Sequence, residues 1–547
     1  MIKLQLRTAV IALGAASSIF LFGCGSSSDN ELPQPPVAEL PDPVVPPTDP
    51  VVPPTDPVVP PTDPVVPPPE PPPEPIDPMV SLQALKTQSE GYISDKKQWF
   101  SDEAVDCRVG ITEQHELCTV ESISFSNGSF DEVRTDNKQT IMVLDAGMEF
   151  QAILRYRSRI KAYLKYDVQN KAFIESNPSI KVTKVGQQLM SQLDTFTFED
   201  PNQNGAMVPG FIPAKWLEEL AKVYTEKVPS DIFDPDTNMI YATHGTMVLG
   251  YLAEHIPKAE FVLVDTASFL PFLQHSDLMC NKDSNALLSY MQSAADSLKA
   301  NAIDKYGVDF VNFSGGYTQD HVTSAFNNKC GGTLQSSEAT SLLLAVKPVY
   351  DVMFSSTDVL GIQAGIRGVD EVSSVLDTVA YDNRVRVASY TTVDQDSPLD
   401  NDGKVQWRDV FNNFKQHFGG HEHIDLYINF GIKGFNSNVT NSTPKMISDV
   451  FGMRYASEWE LHSSWAAPVA TSYAVYQQSK LISEDEQWQF QPSDIIRNMI
   501  PLACMKKDDD VADVLNFIRD NGACRIQDPL KFKGDELNRL GFFSLPQ

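Results

Sequence analysis

Between residues 140 and 500 short apolar runs alternate with longer segments of helical character, and this alternation limits the fold more than any other feature of the chain. The runs Thr140–Leu144, Glu260–Val264, Val308–Phe313, Val359–Ile362, Arg384–Ala388 and Asp425–Phe430 have strand length. Helices are expected at Lys215–Lys227, His244–Glu254, Asn285–Lys305, Ala339–Met353, Ala466–Lys480 and Pro492–Ile500. Strands that are covered on both faces read as near-continuous apolar runs, and parallel strands need crossover connections. The expectation is therefore an α/β fold: a doubly wound, mostly parallel sheet with helices on both faces. Ligands of such sheets bind at the carboxyl ends of strands. Asp145 closes one run and Ser314 closes another, so chemistry is expected at those ends.

The chain opens with a targeting signal. Lys3 and Arg7 supply its positive region, and Val10–Phe22 is too short and too rich in small residues to span a membrane. Leu21-Phe22-Gly23-Cys24 resembles a bacterial lipobox, which implies cleavage before Cys24 and lipidation of that residue. The alternative is an ordinary secretory signal with a chance cysteine. Several buried acyl chains together anchor durably. Gly25 rather than Asp follows Cys24, which implies a lipid-anchored protein of the outer membrane, facing periplasm or cell surface. From about Pro33 to Pro78 the chain is Pro-rich, with Val-Val-Pro-Pro-Thr-Asp-Pro repeated from Val44. Proline fixes φ and lacks a donor, so this segment reads as a polyproline II stalk, on the order of 140 Å long if fully extended. The organisation is thus signal 1–23, lipidated tether and stalk 24–79, a weakly patterned extension 80–138, and a large α/β unit 139–547.

The formal charge of −29 becomes about −31 when Lys3 and Arg7 leave with the signal. Such acidity argues against nucleic acid and against attraction to anionic lipid, so membrane attachment is expected through the acyl chains alone. Apart from Cys24 six cysteines remain, an even number that suits an oxidising compartment. The sequence-local pairing is Cys107–Cys118, Cys280–Cys330 and Cys504–Cys524.

Three segments carry the chemistry. Ile141-Met142-Val143-Leu144-Asp145-Ala146-Gly147 is an apolar strand ending in a carboxylate. Tyr241-Ala242-Thr243-His244-Gly245-Thr246 opens a helix, with Thr243 as its expected N-cap and His244 in the first turn. Ser463-Ser464-Trp465-Ala466-Ala467-Pro468 opens another, and Pro468 is expected in its first turn, where proline is tolerated. A strand-end Asp can fix the tautomer of a His and stabilise its cation; that His can take the proton of a Ser; and a Ser at a helix start offers its own N–H to a developing oxyanion. Each residue alone reads more simply as a turn Asp, a packing His or an N-cap Ser. Their order Asp…His…Ser resembles the subtilisin-like (subtilase) serine proteases. Ser463 competes as the nucleophile, but the spacing to Ala-Ala-Pro favours Ser464.

The resemblance covers roughly Thr140 to Ile500 and implies a serine endopeptidase with Asp145, His244 and Ser464 as its triad. Asn312-Phe313-Ser314-Gly315-Gly316 looks like the family's Asn-x-Ser-x-Gly strand. By that likeness Ser314, Gly315 and Gly316 pair with an extended substrate peptide, and Ala364 and Gly365 line the facing strand end. The chain departs from the family at three positions. Met247 replaces a second His, His462 replaces a Gly two residues before the nucleophile, and Ile366 stands where an Asn would donate to the oxyanion. A substitute donor, with Gln363 as one candidate, a slow enzyme, or a shifted alignment each account for Ile366. Ile366 and His462 together motivate the competing reading, a catalytically impaired scaffold or adhesion protein on the same fold.

The proposed chemistry requires no cofactor. Asp200-Pro201-Asn202-Gln203-Asn204-Gly205 matches the first half of a calcium loop, but position twelve is Phe211, so it reads either as a calcium site or as a plain turn. His417, His421, Glu422 and His423 are ligand-type residues around Gly419-Gly420, more readily a solvated loop than a metal site. Asn438 and Asn441 fit a glycosylation pattern that a bacterial context makes idle.

Overall fold

The computed structural model describes residues 78–102, 105–108, 115–124, 139–148, 153–228, 233–234, 239–240, 243–256, 258–365, 372–390, 423–429, 445–447, 454–456, 463–485, 487–503 and 524–527. The chain divides into Met1–Ile76 and Asp77–Gln547, and all described residues belong to the second unit. The signal segment, Cys24 and most of the Pro-rich stretch lie outside them.

Among the described residues one nine-stranded sheet organises the second unit. Its strands are β1 (Thr140–Asp145), β2 (Ile160–Asp167), β3 (Ala172–Glu175), β4 (Glu260–Asp265), β5 (Phe310–Phe313), β6 (Leu360–Ala364), β7 (Arg384–Tyr390), β8 (Leu426–Asn429) and β9 (Cys524–Gln527). Their spatial order is β9-β8-β7-β6-β5-β1-β4-β2-β3. Every pairing is parallel except β2 with β3, which turns back at the sheet's edge. The mixed α/β, mostly parallel architecture expected from the alternation is present. Each of the six expected strand segments contributes a strand to this sheet.

The principal helices are α1 (Pro78–Asp102), α2 (Lys184–Asp194), α3 (Glu218–Lys227), α4 (His244–His255), α5 (Ser284–Leu298), α6 (Gln319–Lys329), α7 (Ser336–Leu344), α8 (Lys347–Phe354), α9 (Ser463–Glu484) and α10 (Pro492–Ala503). They cover both faces, and the period-2 alternation of strand side chains decides which residue meets which layer. Ile141 and Val143 join one apolar cluster with residues of α1 to α4 and α9. Met142 and Leu144 join the other, with residues of α5 to α8. The same alternation sends Phe261, Leu263 and Phe310 to the first face and Val262, Val264, Val311 and Phe313 to the second. Asp145 continues the row of Ile141 and Val143, so it faces the layer that contains α4 and α9.

Three expected helices are subdivided: Lys215–Lys227 opens as a 3-10 turn, Ala214–Leu217, before α3. The segment 339–353 is not one helix: α7 ends at Leu344 and α8 starts at Lys347 with Pro348 in its first turn, where the missing N–H costs nothing. After α5 the chain continues as a π-helix, Lys299–Asp304. The N-terminal extension, weakly patterned in sequence, begins with the 25-residue α1. Its stripe of Leu82, Leu85, Ile93 and Phe100 is buried, but two buried serines, Ser81 and Ser89, interrupt the periodicity. Ser81 Oγ donates to Asp200 Oδ1 at 2.5 Å, and Gln88 both donates to Glu199 O at 2.9 Å and accepts from its N–H at 2.8 Å.

Disulfides join Cys107 to Cys118 and Cys280 to Cys330, as the local pairing anticipates. Cys504 lies outside the described residues, as do His417, His421, Glu422, Asn438 and Asn441. Among the described residues no helix is long and apolar enough to cross a membrane.

Candidate active site

The site sits at the carboxyl ends of β1 and β5, where α4 and α9 begin. Asp145 ends β1 with a nearly buried side chain, 4% exposed. Its Oδ1 accepts from the Ala146 N–H at 2.6 Å and lies 2.7 Å from His244 Nδ1. With the carboxylate as acceptor, the neutral ring carries its proton on Nδ1 and leaves Nε2 as the base. Asp145 Oδ2 is buried and has no hydrogen-bond partner among the described residues. An under-solvated carboxylate favours a cation beside it more strongly than a hydrated one does.

Burial of the His244 ring works against its charged form, while the charge of Asp145 and the hydrogen bond to it outweigh that effect. The imidazole pKa is therefore held above its ordinary value. The side chain keeps 40% of its surface exposed, so the end of the ring away from Asp145 stays open to a reactant.

The turn after Asp145 is locked from both directions. Gly147 adopts φ +75°, a left-handed conformation that favours glycine. Its N–H donates to Asp265 Oδ1 at 3.0 Å, across the β1–β4 pairing in which Asp265 stands opposite Asp145. Its carbonyl accepts from Thr243 Oγ1 at 2.9 Å, and the Gly245 N–H donates to Ala146 O at 3.2 Å. The first turn of α4 is thus bonded directly to the turn that presents Asp145. Thr243 does occupy the N-cap position, but its hydroxyl does not cap the helix. It is drawn instead to Gly147 O and to Thr246 Oγ1, 2.8 Å away.

Ser464 is the second residue of α9, which spans Ser463–Glu484, so its N–H belongs to the first turn, where backbone donors lack intrahelical partners. Ser464 Oγ donates to the Ser314 carbonyl at 3.3 Å, and Ser314 Oγ donates to the Ser464 carbonyl at 3.0 Å. Among the described residues no hydrogen bond joins Ser464 to His244. Catalytic hydrogen bonds commonly tighten only when substrate is bound. The next residue, Trp465, places its ring 5.0 Å from the His244 ring at 30°, and 5.9 Å from that of Tyr251. Trp465 thereby joins α9 to α4 beside the imidazole, a contact that nothing in the motif spacing signals.

Pro468 departs from expectation. It is the sixth residue of α9, inside the helix rather than in its first turn. A proline at this position cannot donate to the carbonyl four residues earlier, which is that of Ser464. The Ser314 hydroxyl supplies the missing donor. Asn312 supports this arrangement: its Nδ2 donates to Ser314 Oγ at 3.0 Å, and its Oδ1 accepts from Thr471 Oγ1 at 3.0 Å. Phe310, Asn312 and Ser314 share one strand parity, which explains why the Asn-x-Ser spacing brings both polar side chains to α9.

Gly315 and Gly316 follow at the end of β5, half-buried, and Ala364 and Gly365 close β6. The Gly365 N–H donates to Val387 O at 2.6 Å, and a Cβ there would come within 2.3 Å of Ile424 Cδ1. Ile366 and His462 lie outside the described residues. Gln363 does not serve as a substitute oxyanion donor. It has the opposite strand parity to Ala364, it is 1% exposed, and its amide donates to Gly315 O and Asp377 Oδ1 on the face of the sheet away from α9.

In the segment 200–205, Asn204 lies at φ 55° and Gly205 at φ 75°. Asp200 accepts there from Ser81 Oγ, from the Asn202 N–H at 2.9 Å and from Gln203 Nε2 at 3.4 Å. Among the described residues no group of three or more His, Cys, Asp or Glu side chains is placed to hold a metal.

No protein-family model matches the chain, and no curated protein matches it. Among solved structures it is similar to an "S41 Psychrophilic Protease" (14% identity, 67% of this chain and 83% of that one, TM-score 0.29). It is also similar to a structure titled "Crystal Structure of a Lanthipeptide Protease" (11%, 74% and 86%, TM-score 0.31) and to "Sphericase" (12%, 69% and 87%, TM-score 0.27). At these values the functional reading rests on the residues of this chain. They define an α/β protein in which a buried carboxylate, an imidazole and a helix-start serine converge at the carboxyl ends of two parallel strands.

Proposed function

We propose that the chain is a serine endopeptidase of the subtilase type. The observation that carries this reading is the Asp145–His244 pair at 2.7 Å, bonded through its own turn to the helix that presents it and roofed by Trp465 beside Ser464. Ser464 Oγ attacks the peptide carbonyl, and His244 Nε2 takes its proton. Asp145 holds the Nδ1 tautomer and stabilises the imidazolium. His244 then protonates the departing amine, and the reverse proton path lets water hydrolyse the acyl-enzyme. The Ser464 N–H donates to the tetrahedral oxyanion. Ser314 to Gly316 provide backbone for an extended substrate, so proteins and peptides are the substrate class.

Fluorophosphonates phosphonylate an activated serine, its Oγ displacing fluoride from phosphorus, without needing a peptide sequence. The folded protein is expected to label, and Ser464→Ala to abolish labelling. A folded wild type that does not label favours the impaired scaffold instead. The proposal includes lipid anchoring through Cys24 at the bacterial envelope, with the Pro-rich stretch as a stalk. Incorporation of an alkyne fatty acid that is lost in Cys24→Ala tests the anchor. Incorporation that survives this change would place the acyl chains elsewhere.

A further inference from the structure

We propose that Gln363, oriented by Asp377, is a positioning residue for the peptide-binding segment 314–316, a role that rests on the endopeptidase reading above. β5 and β6 run parallel with Phe313 opposite Gln363, so the Gln363 side chain stands beside the point where β5 gives way to Ser314-Gly315-Gly316. Its Nε2 donates to the Gly315 carbonyl at 3.3 Å and also to Asp377 Oδ1, while its Oε1 accepts from Arg384 Nη1 at 3.1 Å.

The donor and acceptor inventory permits only this orientation of the amide. Arg384 can only donate, whereas the Gly315 carbonyl and the Asp377 carboxylate oxygen can only accept. The remaining Arg384 bonds go to main-chain carbonyls, Leu376 O at 3.1 Å, Asp377 O at 2.9 Å and Val379 O, and none goes to the Asp377 carboxylate. Gln363 is thus the side-chain partner of Asp377. Asp377 Oδ2 is buried with no hydrogen-bond partner among the described residues, and the residue is 2% exposed. Burial pushes this carboxyl up to about 6, against the pull of Arg384 and the Gln363 bond. A buried, half-satisfied carboxylate is costly, and its one side-chain bond fixes the amide that reaches the substrate segment.

The consequence for the site follows from strand geometry. Successive carbonyls along an extended strand point to opposite edges. Holding Gly315 O toward Gln363 turns the Ser314 carbonyl, and the polar groups of Gly316, to the other edge. Ser314 O is there already, accepting from Ser464 Oγ at 3.3 Å. Gly315 has no side chain to fix its peptide plane, so the carbonyl bond must do so. The polar network on one face of the sheet therefore sets the register of a peptide bound beside the nucleophile on the other.

The test compares hydrolysis of a tetrapeptide nitroanilide with the rate at which a small fluorophosphonate labels Ser464. The nitroanilide uses segment 314–316, and the fluorophosphonate does not. Backbone binding shared by ground and transition states appears in KM. Gln363→Met, which keeps the length but removes the amide, is expected to raise KM about tenfold, the equivalent of one good hydrogen bond, with labelling within about twofold of wild type. Asp377→Ala is expected to do likewise. Asp377→Asn preserves an acceptor for Gln363 and is expected to restore wild-type KM. The paired change Gln363→Glu with Asp377→Asn retains charge, volume and a 363–377 hydrogen bond, yet leaves only acceptors facing Gly315 O. It is expected to raise KM as well, and it decides the matter if Gln363→Met or Asp377→Ala does not fold. Unchanged KM in the folded paired variant, or KM and labelling deteriorating together, overturns the proposal. A wild type that hydrolyses and labels while KM ignores these changes sinks this inference alone; a wild type that does neither sinks the endopeptidase reading.

Discussion

Ser464 and Ser314 exchange hydrogen bonds in both directions, hydroxyl to carbonyl at 3.3 Å one way and at 3.0 Å the other. The exchange exists because Pro468 deprives the Ser464 carbonyl of its intrahelical donor. A proline that looks like a helix defect thereby ties Ser464 to the strand end at Ser314.

This relationship predicts coupled stabilities. Ser314→Ala leaves the Ser464 carbonyl without a donor and should cost about 1–3 kcal/mol. Pro468→Ala restores an N–H four residues on, so the cost of Ser314→Ala should shrink by about 1 kcal/mol in that background, the remainder being the acceptor lost by Asn312 Nδ2. Urea unfolding of the four proteins measures the coupling. Additive effects would show that the Ser314 hydroxyl and an N–H at position 468 do not compete for the Ser464 carbonyl.

The Asp145–His244 pair makes a prediction about pH. His244 must be neutral to accept a proton from Ser464, and its pKa is held above the ordinary 6.5. Activity should therefore rise with pH through a midpoint above 6.5 and level off beyond it. Asp145→Asn removes the charge that raises the pKa and leaves the opposing effect of burial, so the midpoint of any residual activity should move down. The kcat should fall roughly 10⁴-fold, the size of the same change in another Ser-His-Asp enzyme. The profile of kcat/KM against pH for both proteins is the measurement, and a midpoint that stays put would separate Asp145 from the base.

Much of this arrangement was legible in the sequence because its parts are local. A strand that ends in Asp, a helix that starts with His and one that starts with Ser are each written in a few consecutive residues. Strand parity then brings Asp145 and Ser314 to the α4–α9 face without further information. What escaped the sequence depends on contacts between distant segments. β2 carries Lys161, Lys165 and Asp167 among its apolar residues because it lies next to the sheet's edge, so it does not read as a buried run. The Thr243 hydroxyl reads as a cap for its own helix because the competing acceptor, Gly147 O, lies 96 residues away. Pro468 reads as a first-turn proline because the donor that compensates for it is 150 residues away. Gln363 reads as an available amide because Asp377 and Arg384, which hold it, lie 14 and 21 residues on.

Gly245 gives a steric prediction. A Cβ at this position would approach Gly147 O to 2.4 Å and Asp145 Cβ to 3.2 Å, and the nearest obstacle is backbone. Gly245→Ala must push α4 away from the turn that presents Asp145. A displacement on the order of 1 Å is enough to cost about 10² in rate. Gly91 in α1 has nothing within 4 Å of its Cβ position, so Gly91→Ala should be neutral for activity and stabilise the helix by about 1 kcal/mol. Peptide hydrolysis and thermal melts of the two variants distinguish a site-specific effect from a general intolerance of alanine. Full activity in Gly245→Ala would mean that the turn and helix can separate without harming the Asp145–His244 bond.

The two disulfides should differ in what they contribute. Cys107–Cys118 closes a loop with a sequence separation of 11, and Cys280–Cys330 one with a separation of 50. In the chain-entropy view a cross-link acts by restricting the unfolded chain, and its effect grows with the logarithm of the loop. That gives about 2.8 kcal/mol for the shorter loop and about 4.1 kcal/mol for the longer. The larger loop also spans β5 and α6 within the sheet's second layer, so its loss loosens segments that pack beside Ser314. Cys107 lies beside α3, its N–H donating to Lys227 O, and loss of the shorter bridge should leave the site's geometry intact. Paired Cys→Ala changes at each bridge, followed by urea unfolding, should therefore rank 280/330 above 107/118 by about 1 kcal/mol. Fluorophosphonate labelling should persist in 107/118 at temperatures where 280/330 has lost it. The reverse ranking would show that native contacts around Cys107, rather than the unfolded chain, dominate the effect.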